Sequence, residues 1–253
     1  MSFPMNLIKL PETASTNTWL KENCATLPHG SVALTDNQTA GRGQRGNSWE
    51  AEPGKNLTCS ILLRPVALHP SRQFLISEIV SLAVVETLRE LLSPHISPDR
   101  IKVKWPNDIY VDNLKIAGIL IEHSISSAEI IHTIAGIGLN VNQTRFLSPA
   151  PNPVSMANLA SRPFPIPEIL RSVAGPIISR LSNPIDDAAA NQIHSAYLSA
   201  LWRGDGRQHP FQTPDGSSFL AAIHTVSPSG LLTLRHSDGS LSTYAFKEIS
   251  FTL

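Results

Sequence analysis

The sequence predicts an α+β protein in which strands and helices mix through residue 203 and a small β-barrel occupies residues 204–253. Three observations carry this. Apolar residues recur with helical spacing in some stretches and alternate, or run on continuously, in others. Turn signals at Pro214-Asp215-Gly216, Pro228-Ser229-Gly230 and Ser237-Asp238-Gly239 cut the last segment into short strands. A length of 253 residues suits one large domain, or one large and one small.

Residues 15–25 (STNTWLKENCA) read as a helix, with Ser15 or Thr16 as its cap and Trp19, Leu20 and Cys24 on one face. Residues 31–36 read as a strand. Residues 38–56 are rich in Gly, Arg and Asn without periodicity, which marks a long loop. Residues 57–63 (LTCSILL) form a strand. Leu75, Ile79, Leu82, Val85, Leu88 and Leu92 give residues 74–92 helical spacing. Residues 101–105 alternate as a strand, and residues 109–122 form a hairpin turning at Asp112-Asn113. Residues 130–141 are apolar almost throughout and so central in a sheet. Prolines make residues 149–167 an irregular loop. Helices follow at 168–181 and 185–202, with a domain boundary near Gly204.

The composition narrows the function classes. A hydrophobic fraction of 42% excludes general disorder. Twenty basic residues balance 20 acidic ones, which argues against a dedicated DNA-binding protein. Cys24 and Cys59 cannot form a disulfide framework and read as two reduced, buried thiols. No apolar run suits a signal peptide or a transmembrane helix, so the expectation is a cytoplasmic protein without a membrane partner.

Four segments can carry chemistry. Gly41-Arg42-Gly43-Gln44-Arg45-Gly46 combines glycines that let backbone N–H groups approach a ligand with guanidinium forks for carboxylate or phosphate. The alternative is a flexible, solvated loop. It is neither a Walker loop nor a dinucleotide fingerprint, since no Gly-Lys-Ser/Thr follows and Trp49-Glu50 stand where a helix would open. Lys104-Trp105-Pro106-Asn107-Asp108 forces an extended exit from a strand and leaves Asn107 and Asp108 at a loop edge. That edge can face a pocket or be a plain turn. Lys115, opening the strand Ile116-Ala117-Gly118-Ile119-Leu120, is either an exposed turn lysine or an ammonium aimed at an acyl or phosphate oxygen. Gly136-Ile137-Gly138-Leu139-Asn140-Val141-Asn142 puts glycines in a central strand, with Asn140 and Asn142 on one face by alternation, either to hold a phosphate or an adenine or as two plain surface amides.

Each signal is weak alone, but their order is specific. Ser15-Thr16-Asn17, Gln38-Thr39-Ala40-Gly41-Arg42-Gly43, Trp49, Lys104 to Asp108, Lys115 to Leu120 and Gly138 to Asn142 together closely resemble the biotin protein ligases, also called biotin–[acetyl-CoA-carboxylase] ligases or holocarboxylase synthetases. The resemblance runs from about Thr13 to the C-terminus and is strongest through Asn142.

It implies a mixed β-sheet packed against helices, of the class II synthetase-like kind, in a catalytic domain of residues 1–203. An SH3-like barrel of residues 204–253 would follow. It also implies a reaction. Biotin is activated with ATP as biotinyl-5′-AMP and passed to a lysine of a biotin carboxyl carrier protein, with Mg²⁺ on the phosphates and no metal site built from protein residues. Ser15, Thr16, Asn17, Gln38 and Gly118 would bind biotin. Arg42, Gly43 and Gln44 would close over its tail, and Lys115 would bind the biotin carboxylate, then the bridging oxygen of the adenylate, and serve both acyl transfers. Arg42, Arg45, Trp49, Asn107, Asn140 and Asn142 would hold the nucleotide, with Arg42 and Lys115 catalytic. No nucleophilic Cys, Ser or His is required.

Two departures qualify the resemblance. Some members carry Arg where this chain has Gln44. Others carry an N-terminal helix-turn-helix domain, which the 14 residues before Ser15 cannot form, so no DNA partner is expected. Oligomeric state stays open, a homodimer included. Two competing readings are a lipoate or octanoyl ligase or transferase with a related core, and a non-catalytic sensor of biotin or its adenylate.

Overall fold

The computed structural model describes residues 5–43, 48–127, 129–147 and 152–252. Its elements run β1 (Asn6–Thr13), α1 (Thr16–Asn23), β2 (Ser31–Gln38), β3 (Leu57–Leu63), α2 (Phe74–Leu92), β4 (Ile101–Lys104), β5 (Asp108–Val111), β6 (Leu114–Ile125), β7 (Ile130–Leu139), α3 (Met156–Ala160), α4 (Ile166–Leu181) and α5 (Asp187–Ser199). The strands β8 (His209–Gln212), β9 (Ser218–Val226), β10 (Leu232–His236), β11 (Leu241–Tyr244) and β12 (Ser250–Phe251) complete the chain.

Seven strands form one mixed sheet in the order β1-β2-β3-β7-β6-β5-β4, parallel only between β1 and β2. β7 sits in its middle, as its apolar run demands. The sheet's two faces separate by strand alternation. Leu57, Cys59, Ile61 and Leu63 of β3 join the main core, as do Ala135, Ile137 and Leu139 of β7 and Ile109 and Val111 of β5. That core is shared with α2, α4 and α5. Leu62 and Ile134 instead pack with Leu20 and Ala33 in a separate small cluster under α1. Because α1 is short, it covers only part of this second face, and the remainder is the floor of a cavity. The C-terminal strands form a second sheet, β11-β10-β9-β8-β12, antiparallel throughout. It docks on the first unit through Trp105 Nε1, which donates to the Gly230 carbonyl at 3.0 Å, and through Trp202 against Phe251.

Several expectations need correction. β1 carried no period strong enough to read, because it is an edge strand, largely exposed, and contains Pro11. The passage 149–167 is not wholly irregular. Within its described part Ser155 opens α3 by a capping box, accepting from Asn158 N at 3.1 Å. The last helix is shorter than 185–202, since Asp186 caps it at its start. β7 ends at Leu139, so Asn140 and Asn142 lie beyond the strand and alternation does not orient them. Cys24 is only half-buried. Cys59 is fully buried, and burial pushes its thiol up to about 12.

Candidate functional site

A cavity of about 480 Å³ opens over the uncovered face of the large sheet, a volume typical of small-molecule sites. Its floor is a row of paired residues crossing five strands: Thr58, Gly138, Gly118, Asp108 and Lys104. Directly paired residues point to the same side of a sheet, so all five face the cavity, and all five line it.

The glycines are there because other side chains need the space. A Cβ on Gly138 would lie 2.6 Å from Trp49 Nε1, and one on Gly118 3.0 Å from Trp49 Cζ3. A Cβ on Gly136 would collide with the Asn17 carboxamide. The indole of Trp49 therefore lies on the Gly118–Gly138 pair, and its buried Nε1 has no hydrogen-bond partner among the described residues.

On the β2–β3 side the lining is neutral and tightly bonded. Ser15 caps α1, accepting from Thr18 N at 3.5 Å. This turn drives Thr16 and Asn17 inward, so the helix buries polar residues more deeply than Trp19. Ser60 Oγ bonds Thr16 Oγ1 at 2.7 Å and Asn17 Oδ1 at 2.6 Å. Gln38 Oε1 accepts from Thr16 N at 3.0 Å, and Asn17 Nδ2 donates to Glu122 Oε2 at 2.8 Å. Arg42 closes this side, its guanidinium 3.1 Å from Glu122 Oε1 and 3.3 Å from Thr18 Oγ1. Gly43 also lines the cavity, whereas Gln44 and Arg45 lie outside the described residues.

On the β4–β6 side the lining is ionic. Lys115 Nζ is 2.7 Å from Asp108 Oδ1 and 5.7 Å from the Trp49 ring centroid. Plain alternation would set Lys115 opposite to Gly118, three residues on. A bulge between Ile109 and Tyr110 pairs Tyr110 with Lys115, which turns Lys115 to the cavity and leaves Ile116 in the core. The strand after it is held by a strap. Lys115 N donates to the Asn152 carbonyl at 2.7 Å and its own carbonyl accepts from Val154 N at 2.9 Å.

The structure brings Ser15, Thr16, Asn17, Gln38, Arg42, Gly43, Trp49, Asn107, Lys115 and Gly118 to one cavity. Asn107 is not at an open loop edge. It is buried, and its amide donates to the Ile119 carbonyl. Asn140 and Asn142 do not line the cavity. Asn142 is paired with Phe164 through both its amide and its carbonyl, at 2.9 and 2.8 Å. Asn140 donates to the Val154 carbonyl at 3.1 Å and so holds the strap that pairs with Lys115.

Sequence reasoning missed Glu122, which couples Arg42 to Asn17, and left Asp108 without a role although its motif was in view. It also missed the far wall. Gln212, Pro214, Phe246, Lys247 and Phe251 of the C-terminal segment line the same cavity, a fact no local pattern encodes.

A family model described as the biotin/lipoate A/B protein ligase family matches residues 9–140, more than half the chain. The chain belongs to that family. The bifunctional ligase/repressor BirA of Escherichia coli is 33% identical over 136 residues, 54% of this chain and 40% of that protein. The chain thus spans less than half the length of that relative. The biotin–[acetyl-CoA-carboxylase] ligase of Paracoccus denitrificans is 29% identical over 77% of this chain and 80% of its own length. In fold, the chain resembles the Aquifex aeolicus biotin protein ligase solved with biotin and ATP. The TM-score is 0.78 over 98% of both chains, at 24% identity. No described helix is long and apolar enough to cross a membrane.

Proposed function

We propose that this member of the family is an ATP-dependent biotin–protein ligase, which forms biotinyl-5′-AMP and transfers biotin to a lysine of a biotin carboxyl carrier protein. The observation that carries this is the shared cavity of Arg42 and Lys115, with a neutral hydrogen-bonding side and an ionic side joined by the Trp49 floor. The names and ligands of the relatives support it.

The neutral side suits biotin. Thr16, Asn17 and Gln38 offer donors and acceptors to an uncharged ureido head, and their mutual bonds fix them before binding. Ser15 holds the turn that presents them. Gly118 leaves room for the apolar body, and Arg42 with Gly43 covers the carboxylate tail, a role that Gln44 would share. In the first step a carboxylate oxygen attacks the α-phosphorus, and the bond to pyrophosphate breaks with its electron pair. Lys115 then supplies positive charge between two anions that must approach each other. In the second step a carrier lysine, as free amine, attacks the acyl carbon. AMP leaves with the bridging oxygen, and Lys115 offsets the charge growing there.

Trp49 and Asn107 stand beside the nucleotide, and Arg45 is assigned to it with them. Asn140 acts at one remove, by holding Val154 of the segment that straps Lys115, and Asn142 holds Phe164 further along the chain. Among the described residues no cluster of three His, Cys, Asp or Glu can hold a metal ion. The cavity carboxylate Asp108 is paired with Lys115, a donor set that fits magnesium carried by ATP phosphates, where it neutralises phosphate charge. We divide the chain at about residue 204, with residues 1–203 catalytic and residues 204–253 forming a separate C-terminal unit that supplies one wall.

The test is incorporation of labelled biotin into an apo carrier domain with Mg-ATP. Biotin-dependent pyrophosphate release followed by transfer is the expected result. Preference for octanoate or lipoate would overturn the substrate, and pyrophosphate release without transfer would overturn the ligase.

A further inference from the structure

Lys104 ends the floor row, one strand beyond Asp108 and two beyond Gly118. It shares their face and lines the same cavity. Its ammonium sits among three aromatic rings, 4.8 Å from the centroid of Tyr110, 5.6 Å from Phe251 and 5.8 Å from Trp202. It donates to Tyr110 Oη at 3.1 Å. Asp108, the carboxylate nearest along the row, is taken by Lys115. Among the described residues no carboxylate forms a salt bridge with Lys104. Phe251 belongs to β12, so the C-terminal sheet closes this end of the cavity, and Lys247 lines it from the same side.

We propose that Lys104 binds the β- and γ-phosphates of the nucleotide and holds the pyrophosphate as it leaves, in the end of the cavity closed by the C-terminal sheet. This rests on the ligase reading and deepens it. Lys115, on the Asp108 side of the row, stands where carboxylate and α-phosphate meet, so the remaining phosphates extend along the row toward β4. A half-buried cation without a salt-bridged carboxylate has lost hydration without a full counter-charge, so an entering polyanion gains more from it than from a solvated lysine. Burial pushes the Lys104 ammonium below the usual lysine range while Asp108 pulls it back, which agrees with that environment. The bland account is that Lys104 is only a cation–π bridge between the sheets.

Lys104→Met keeps the stem and removes the charge, and Lys104→Arg keeps the charge. Three measurements separate the accounts: affinity for Mg-ATP and for inorganic pyrophosphate by calorimetry, steady-state adenylate formation, and transfer from preformed biotinyl-5′-AMP. Lys104→Met should weaken both polyphosphate ligands tenfold or more and raise KM for ATP likewise. KM for biotin and transfer from the preformed adenylate should stay within twofold, and Lys104→Arg should recover most of the loss. Unchanged pyrophosphate affinity in Lys104→Met would overturn the proposal. So would parallel loss of transfer from the adenylate with a lowered Tm, since that marks a purely structural bridge. A wild-type protein that binds Mg-ATP but makes no adenylate with biotin would overturn the ligase reading instead, while the affinities still judge Lys104.

Discussion

The two sides of the cavity solve different problems with different chemistry. Around Thr16, Asn17, Gln38 and Ser60 the lining side chains are uncharged and bonded to one another, and charge enters through Glu122, which accepts from Asn17 and meets Arg42 at the rim. Around Lys104, Asp108 and Lys115 charge is concentrated and half-buried beside aromatic rings. The contrast teaches a division of labour. A prearranged neutral network discriminates, because a ligand that fails to match it leaves buried groups unpaired. A cationic side accelerates, because its charge acts on charge that develops during reaction.

The largest test of that contrast is Lys115→Ala. It should lower the rate of adenylate formation about 100- to 1,000-fold, with biotin affinity much less affected and far-UV circular dichroism unchanged. Undiminished pyrophosphate release would remove Lys115 from its role and dissolve the distinction between the sides.

Acid should stress the neutral side from behind. His123 follows Glu122 on β6 and points to the opposite face, where burial holds its imidazole down to about 4. Above pH 6.5 the ring is neutral whether folded or unfolded and costs nothing. As pH falls from 6.5 towards 4, the unfolded chain takes up the proton and the folded one does not, so stability drops. The loss approaches about 3 kcal/mol by pH 4. Thermal melts across this range should show it, and His123→Gln should flatten the curve. An acid limb identical in the variant would show that another group is responsible.

Asn17→Ala strips the neutral side of the residue that joins Ser60 to Glu122. Leaving those groups unpaired costs about 1–3 kcal/mol. That cost should appear as a raised KM for biotin with KM for ATP nearly constant. Equal effects on both would mean that the sides are not independent. Gly138→Ala is the mildest test. Its methyl displaces the Trp49 indole at an expected cost of about 1 kcal/mol. An altered near-ultraviolet tryptophan signal should accompany it, and an unaltered one would mean that the floor absorbs the methyl elsewhere.

Features set by near neighbours were legible in the sequence. β3 and α2 begin and end where period and composition place them, because their apolar patterns are long and uninterrupted. The hairpin turn falls at Asp112, which adopts a positive φ of 53°. Of the candidate site residues within the described part, Ser15, Thr16, Asn17, Gln38, Arg42, Gly43, Trp49, Asn107, Lys115 and Gly118 converge on one cavity, and Asn140 and Asn142 do not line it. Alternation does not orient those two because β7 stops just before Asn140, and the amides answer to Val154 and Phe164 instead.

By itself the chain determined which residues are glycine, lysine and arginine at the motif positions, and where periodicity makes a strand or a helix. Tertiary structure alone decided which way Lys115 faces, because a bulge shifts register only against a partner strand. It alone placed Glu122 beside Arg42 and brought Phe251 over Lys104, contacts between residues far apart in the chain. Periods and caps arise from neighbours a few residues away, whereas register and wall-to-wall packing arise from pairings that no local window contains.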